Sequence, residues 1–393
     1  MSNIEVEVRT GVVALADDWR LLARFASPNV FMDPAALSAV HESGIERPVT
    51  LLAWEKTDAV RTLVGLWALA EKTISPLGPS FLSSPPYHFA TVSSPVIDPD
   101  KTDAVVTAFL KKIATDPYLP KVVRMKYLDG DCPADVALTE ATVTSRSRVL
   151  SDRTRAFIDR TGGPKRSGST RKKLRQFWNR LSAEGAVEVV NDRTLEGVKA
   201  AFETFLELEE KSWKGDGGTA LLSHAGHARF ARGMIANLAA DGNASVALLR
   251  LDCKPIAAQV LLYNGNLAYT WKIAHDSAHD RHSPGMLLVD KVTDHLLETA
   301  GIEGIESCSP EGGFMTNIWP GRRRTVDLLV DLGGRRSFTF DLVALAVRAY
   351  AGAKTLRGSF HAWRAGRKPV AQPPAAPPVP AAAQVIADRQ EAA

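Results

Sequence analysis

From residue 191 onward the spacing of apolar positions changes period several times, and each change marks a new element. Val198, Phe202, Phe205 and Glu209 trace one helical face behind Thr194, a residue type suited to cap a helix start. Phe230, Met234 and Leu238 trace a second helix. The period then drops to two in ASVALLRLD, IAAQVLLY and LAYTWKIA, which predicts a three-stranded meander. Asn264 and Gly265 stand between the last two runs, and both tolerate the positive φ of a tight hairpin turn. After the polar stretch HDSAHDRH, the positions Val289, Val292, Leu296 and Ala300 predict a helix ending at Gly301. The run IEGIESCS closes the series as a strand. A helix joining two strands is the crossover that parallel pairing requires.

The first half repeats this order in blurred form. VVALADDWRLLARFA and DPAALSAVHESG read as helices, residues 47–72 as a hairpin, TDAVVTAFLKKIATDP as a helix and KVVRMKYL as a strand. Where the second half has a third meander strand followed by Ser-Pro-Gly, the first has the Pro-rich SPLGPSFLSSPPYHFATVSSPVIDPD. The expectation is an α/β (α+β) protein of two related halves, each a mixed central sheet flanked by helices. The halves span residues 1–155 and 156–367. Residues 368–393, rich in Pro and Ala with little to bury, are expected to form a disordered tail.

Composition narrows the class. A chain of 393 residues exceeds what one core supports, and 45% hydrophobic with 23% charged residues is the balance of a globular protein. No apolar run reaches the roughly 18 residues that cross a bilayer, and MSNIEVEVRTG lacks the pattern of a secretory signal, so a cytoplasmic location is expected. Cys132, Cys253 and Cys308 are odd in number and far apart, which points to reduced thiols and to neither a disulfide frame nor a metal site.

The net charge is only +4, yet residues 153–180 hold ten Lys or Arg against the single acid Asp159. Within them Leu174, Phe177, Trp178 and Leu181 follow helical spacing, leaving Arg171, Lys172, Arg175 and Arg180 mainly on other faces. Such a face is either a solvated exterior or a surface for phosphates or nucleic acid. A second ambiguous feature is HSPGMLLVDKVTDHLLETAG. Ser283 suits the cap position, Pro284 the first helical position, and Gly285 leaves the helix mouth bare. This is a sound helix start, and it is equally an anion site, because unpaired N–H groups and the positive dipole end face outward there.

The stretches KSWKGDGGTALL and PIAAQVLLYNGNLAYTWKIAHDSAHDRHSPGMLL, with the helix and strand after them, resemble the acyltransferase domain of the cellulose-biosynthesis CelD type. That domain belongs to the GNAT superfamily and is close to the FemAB-like proteins, which carry two GNAT folds in tandem. The similarity spans roughly residues 166–319 and is densest from 256 to 301. It implies acetyl-CoA, or another acyl-CoA, in a cleft where the last meander strand and the strand after the helix splay apart. The pyrophosphate then falls to His282, Ser283, Pro284, Gly285 and Met286, with the amides of Gly285, Met286 and Leu287 as donors. Trp271, Lys272 and Ile273 flank the thioester, and a backbone N–H among them would meet the oxyanion. The superfamily's Arg or Gln, two residues, Gly, one residue, Gly or Ala is not reproduced here, since Arg281 lies four residues before Gly285.

Acyl transfer to an amine needs a base, an oxyanion donor and an acid for the leaving thiolate, and no covalent nucleophile. Glu209, Glu210, Asp276 and Glu306 are the candidate bases, each equally readable as a salt-bridged carboxylate. Lys272 is expected to pair with Asp276 or Glu306. Relatives often place a Tyr-Lys pair after the closing strand, whereas SCSPEGGFMTNIWPG offers Phe314, so Tyr269 or Ser309 is left as the acid. Cys308 reads as a buried thiol. His275, His279 and His282 read as a polar loop over the cofactor. Arg322, Arg323 and Arg324 are either solvated or face the acidic end of CoA or an anionic saccharide. The implied activity is acyl-CoA-dependent N- or O-acyl transfer, with a sugar or amine precursor of cellulose or exopolysaccharide as the acceptor. The alternatives are an aminoacyl-tRNA-dependent transferase, with residues 165–180 gripping the nucleic acid, and a non-catalytic adaptor.

Overall fold

The period-two runs become strands that join one sheet. The computed structural model describes residues 3–11, 15–57, 60–163, 166–309, 312–334 and 337–364, so the Pro- and Ala-rich stretch 368–393 lies outside the described residues. The first half contains β1 (Asn3–Thr10), α1 (Ala16–Ala23), α2 (Pro34–Ser43), β2 (Pro48–Lys56), β3 (Arg61–Thr73), β4 (Ser80–Ser84), β5 (Val96–Ile97), α3 (Thr102–Thr115), β6 (Val122–Asp129) and α4 (Pro133–Ala141). The second half begins with β7 (Arg146–Asp159), α5 (Gly168–Ser182), β8 (Val187–Val190), α6 (Leu195–Glu210), α7 (Trp213–Asp216) and α8 (Ala225–Ala240). The meander β9 (Ala244–Leu251), β10 (Lys254–Asn264) and β11 (Leu267–His275) follows, then α9 (Pro284–Glu298), β12 (Gly304–Glu306), β13 (Arg322–Asp331) and α10 (Phe338–Arg364).

Among the described residues the sheet has thirteen strands in the order β1-β2-β3-β4-β6-β13-β7-β12-β11-β10-β9-β8, with β5 beside β3. Each half closes with a parallel pair across a crossover helix: β4 with β6 in the first, β11 with β12 in the second. The repeat is therefore fuller than the sequence suggests. The first half does have its third strand, since Ser80–Ser84 forms β4 inside the Pro-rich stretch. Two further features depart from the expected organisation. The boundary between 155 and 156 falls inside β7, and β13 inserts between β6 and β7, so the sheet is continuous where the halves meet.

Local chemistry accounts for the element ends. Thr194 caps α6, its hydroxyl accepting from the Gly197 amide at 3.2 Å, and Ser167 caps α5 in the same way through the Thr170 amide. Gly265 takes φ +55° in the β10–β11 turn, as the hairpin requires. Helices α6 and α8 cover one face of the second half's strands, while α9, backed by α5, covers the other. The helices α2 and α8 pack against each other and draw both halves into one core. Buried polar links reinforce that seam: the Asn29 amide donates to Asn264 Oδ1 at 3.0 Å, and Trp271 Nε1 donates to the Phe89 carbonyl at 3.0 Å. No helix among the described residues is long and apolar enough to cross a membrane.

Candidate functional site

Strands β11 and β12 pair only where Leu267, Ala268 and Tyr269 meet Gly304, Ile305 and Glu306. Strand β12 ends there, while β11 runs on to His275. The two strands part, and the gap is a cleft of about 640 Å³. Thr270 to His275 line one side, Ser307, Cys308 and Ser309 the other, and Phe314 and Met315 complete the wall. Ser283, Gly285 and Met286 at the start of α9 close one end, and Ser212, Trp213 and Lys214 close the other.

A bulge in β11 shapes one wall of this cleft. Thr270 pairs with Leu261 and Lys272 with Val260, which leaves Trp271 without a partner in the register. An extra residue in one strand re-aims the side chains around it. Trp271 consequently packs toward α6 and α8, Lys272 approaches Glu209 of α6, and Ile273 faces α9 beside Gly285. Two lining residues, Ser283 at φ +48° and Cys308 at φ +51°, hold left-handed backbone without being glycine. Such conformations cost about 1–3 kcal/mol each and gather at ligand-holding sites.

At the α9 end the donors are fewer than expected. Ser283 stands at the cap position, but its hydroxyl makes no capping bond. Its carbonyl accepts from the Met286 and Leu287 amides at 2.9 and 3.2 Å, which removes both as anion donors. Pro284 has no N–H. Gly285 therefore carries the amide that finds no acceptor among the described residues. Leu287 is buried in the core, and His282 turns away, its Nε2 lying 2.9 Å from Glu184 Oε1 at the end of α5. The stretch 277–282 forms 3₁₀ turns in which His275 Nε2 lies 2.9 Å from Asp280 Oδ1, both in the cleft wall. Helix α5 packs on α9 and on these turns, with Leu174 and Leu181 buried and Arg171, Lys172 and Arg175 exposed.

Of the expected catalytic side chains, Ser309 lines the cleft and Glu210 is exposed at the end of α6, while Glu209, Asp276, Tyr269 and Glu306 lie outside the cleft, each engaged elsewhere. Glu209 is fully buried beneath it, accepting from Lys214 Nζ at 3.0 Å and from the Leu221 amide at 2.9 Å. Asp276 caps the 3₁₀ turn through the Ala278 amide at 3.0 Å. Tyr269 and Glu306 line a different cavity, of about 350 Å³. There Tyr269 donates to the Pro28 carbonyl at 2.8 Å, and burial pushes its phenol well above the usual range. Glu306 lies 3.3 Å from the buried Arg155 guanidinium and accepts from the Cys308 amide at 3.2 Å. Lys272 accordingly pairs with neither Asp276 nor Glu306; its carboxylate is Glu209, at 3.9 Å.

The three arginines of β13 are likewise occupied. Arg322 donates to the Trp319, Gly321 and Thr316 carbonyls, Arg323 lies 3.0 Å from Asp129, and Arg324 forks onto Asp152. Cys308 does line the cleft, but burial pushes its thiol up to about 12, so it is no thiolate at neutral pH.

One lining residue went unread in the sequence although its signal was visible. Gln259 interrupts the apolar run IAAQVLLY, is 1% exposed, faces the cleft, and leaves its Oε1 buried with no hydrogen-bond partner. An unpaired buried acceptor costs about 1–3 kcal/mol, and a site holds one where a ligand supplies the missing donor.

Comparison with known proteins places these observations. Residues 168–310, which contain the cleft, match the family model described as acetyltransferase (GNAT) domain. No curated protein matches the chain. Among solved structures, a conserved protein of unknown function from Bacteroides thetaiotaomicron VPI-5482 superposes with a TM-score of 0.53 at 13% identity, over 82% of this chain and all of its own. The structure of FemX gives 0.53 at 10% identity, over 81% of this chain and 96% of its own. The protein thus has a mixed α/β GNAT-like fold, and its residues 168–310 are similar to an acetyltransferase (GNAT) domain.

Proposed function

We propose that the protein transfers an acyl group from acyl-CoA, acetyl-CoA foremost, to an amine or hydroxyl, directly and without a covalent enzyme intermediate. The observation that carries this reading is the cleft between β11 and β12, bulged at Trp271 and lined both by the α7 region and by the start of α9. The residues present fit such a donor. The free Gly285 amide, with the positive end of α9 behind it, suits a phosphate oxygen, and α5, which packs on α9 and the turns before it, leaves Arg171, Lys172 and Arg175 exposed. Gln259 Oε1 suits an amide N–H of the pantetheine arm. The Trp271 peptide, unpaired in the β10–β11 register, would be the donor to the developing oxyanion. Ser212, Trp213 and Lys214 then form the mouth through which the acceptor enters.

The acceptor class follows from the CelD-type resemblance: an amine- or hydroxyl-bearing precursor in cellulose or exopolysaccharide assembly. Calorimetric titration with acetyl-CoA tests the reading, alongside thermal unfolding. Ligand at about 100 times its Kd stabilises the fold by about 2.7 kcal/mol. The basic exposed face of α5 beside the cleft favours a second reading, in which aminoacyl-tRNA is the donor. Binding of tRNA that weakens steeply with salt, with none of acetyl-CoA, supports that reading instead. Binding of neither leaves the adaptor role.

A further inference from the structure

Two amines share one carboxylate at the acceptor end of the cleft. Lys214 Nζ lies 3.0 Å from Glu209 Oε1 and also donates to the Ile273 carbonyl at 3.1 Å. Lys272 Nζ lies 3.9 Å from the same oxygen, while Glu209 Oε2 is taken by the Leu221 amide. Glu209 is wholly buried, and the Lys272 side chain is only 18% exposed. Two ammonium ions on one carboxylate would leave a surplus positive charge beside a wholly buried group, which is unfavourable. Such a surplus eases loss of the proton from the less tightly held amine. Lys214 has the closer carboxylate and an extra carbonyl, so Lys272 is that amine.

Every charged or titratable group facing Lys272 bears on this balance. Glu209 comes from α6, Lys214 from α7, His88 from the segment after β4, and His227 from α8 with His224 beside it. Burial pushes the Lys272 amine below the ordinary lysine value; Glu209 pulls it up and Lys214 pushes it down. The rings of Phe89 and Trp271, 5.2 and 5.4 Å away, favour the ammonium. The two nearby imidazoles are themselves held below the usual histidine range, mainly by burial, and Lys272 adds to this.

We propose that Lys272, as a neutral amine, takes the proton of the attacking acceptor and returns it to the departing thiolate. The proposal rests on the acyl-transfer reading above. The acceptor nitrogen's lone pair forms the new N–C bond to the acyl carbon, and the C–S bond breaks with its electron pair on sulfur. The proton lost from nitrogen passes to Lys272 Nζ and then to sulfur, which restores the neutral amine. One residue thereby supplies both proton transfers. This accounts for a cleft whose neighbouring carboxylates, Glu209, Asp276 and Glu306, are all engaged elsewhere, and whose wall carries Phe314, which has no proton to give.

The test is trace acetylation of the full chain with acetic anhydride from pH 6 to 11, with Lys272 followed by peptide mass spectrometry. Lys272 should titrate below the reference lysine value of about 10.4. Lys214→Met removes the competing ammonium and should raise that midpoint, and Glu209→Gln removes the carboxylate and should lower it. A Lys272 midpoint at or above the reference, or one that stays put in both variants, overturns the proposal. Turnover of acetyl-CoA with ethanolamine as probe acceptor supplies the second arm. Lys272→Arg keeps the charge but cannot cycle a proton, and should lose about 10²–10⁴-fold in kcat while still binding acetyl-CoA. Retained turnover in Lys272→Arg also overturns the proposal. Failure of the wild-type protein to bind acetyl-CoA overturns the acyl-transfer reading instead.

Discussion

Replacing Gly285 with glutamate isolates the anion site from the fold. A Cβ at this position would sit 3.5 Å from both His275 Nδ1 and Ile273 Cδ1, which is ordinary contact, and Gly285 is not among the glycines in left-handed backbone. The backbone therefore accepts a side chain, and the remainder of the glutamate extends into the cleft. Removing a helical glycine gains up to about 1 kcal/mol, and a carboxylate in the first turn gains roughly 0.3–1 kcal/mol more from the dipole. The free protein should unfold at the wild-type temperature or slightly above. Donor binding should suffer heavily. A carboxylate about 5 Å from one phosphate charge, at an effective dielectric of 20, repels it by about 3 kcal/mol, or roughly 200-fold in Kd. Calorimetry of both proteins with acetyl-CoA, beside their unliganded melting curves, reads the two effects separately. Unchanged affinity refutes the placement of the diphosphate, and a collapsed melting temperature shows that the start of α9 is sealed by packing.

Three other substitutions probe neighbouring parts of the account. Gln259→Leu should stabilise the free protein by about 1 kcal/mol, because it removes an unpaired buried acceptor, while weakening acetyl-CoA binding about tenfold in calorimetry. Arg155→Met should cost about 3–5 kcal/mol in urea unfolding, since Glu306 loses a buried partner, yet leave acetyl-CoA affinity unchanged because both residues face the other cavity. Asp135 is fully buried and burial raises its carboxyl from 3.8 to about 7. The folded protein then keeps a proton that the unfolded chain releases, so stability should fall by roughly 4 kcal/mol as pH rises from about 4 to about 7. Asp135→Asn should flatten that slope in its upper part, with Asp33, raised to about 6, still titrating below.

The meander and its flanking helices were legible because their cues are local. Thr194, the Asn264-Gly265 turn and the period of Val289, Val292 and Leu296 each specify an element within a few residues of themselves. Strand β13 was hidden, since its Arg-Arg-Arg start reads as a solvated run and its partners β6 and β7 lie far away in the chain. The site was legible in part for a related reason. The CelD-type resemblance implies that Trp271, Lys272, Ile273, Ser283, Gly285 and Met286 surround one gap, and they do line it. Which face of the sheet a side chain reaches depends on the bulge at Trp271, and no residue type announces that bulge. Partners remote in sequence decide the rest: Arg155 holds Glu306, Pro28 receives Tyr269, and Glu184 draws His282 away from the α9 mouth.

A crystal structure of the complex with CoA measures the central claim most directly. The account predicts a phosphate oxygen within hydrogen-bonding distance of the Gly285 amide and the sulfur end of the pantetheine arm between Trp271 and Ser307. CoA seated in the cavity of Arg155 and Glu306, or anywhere else outside the β11–β12 gap, would contradict it.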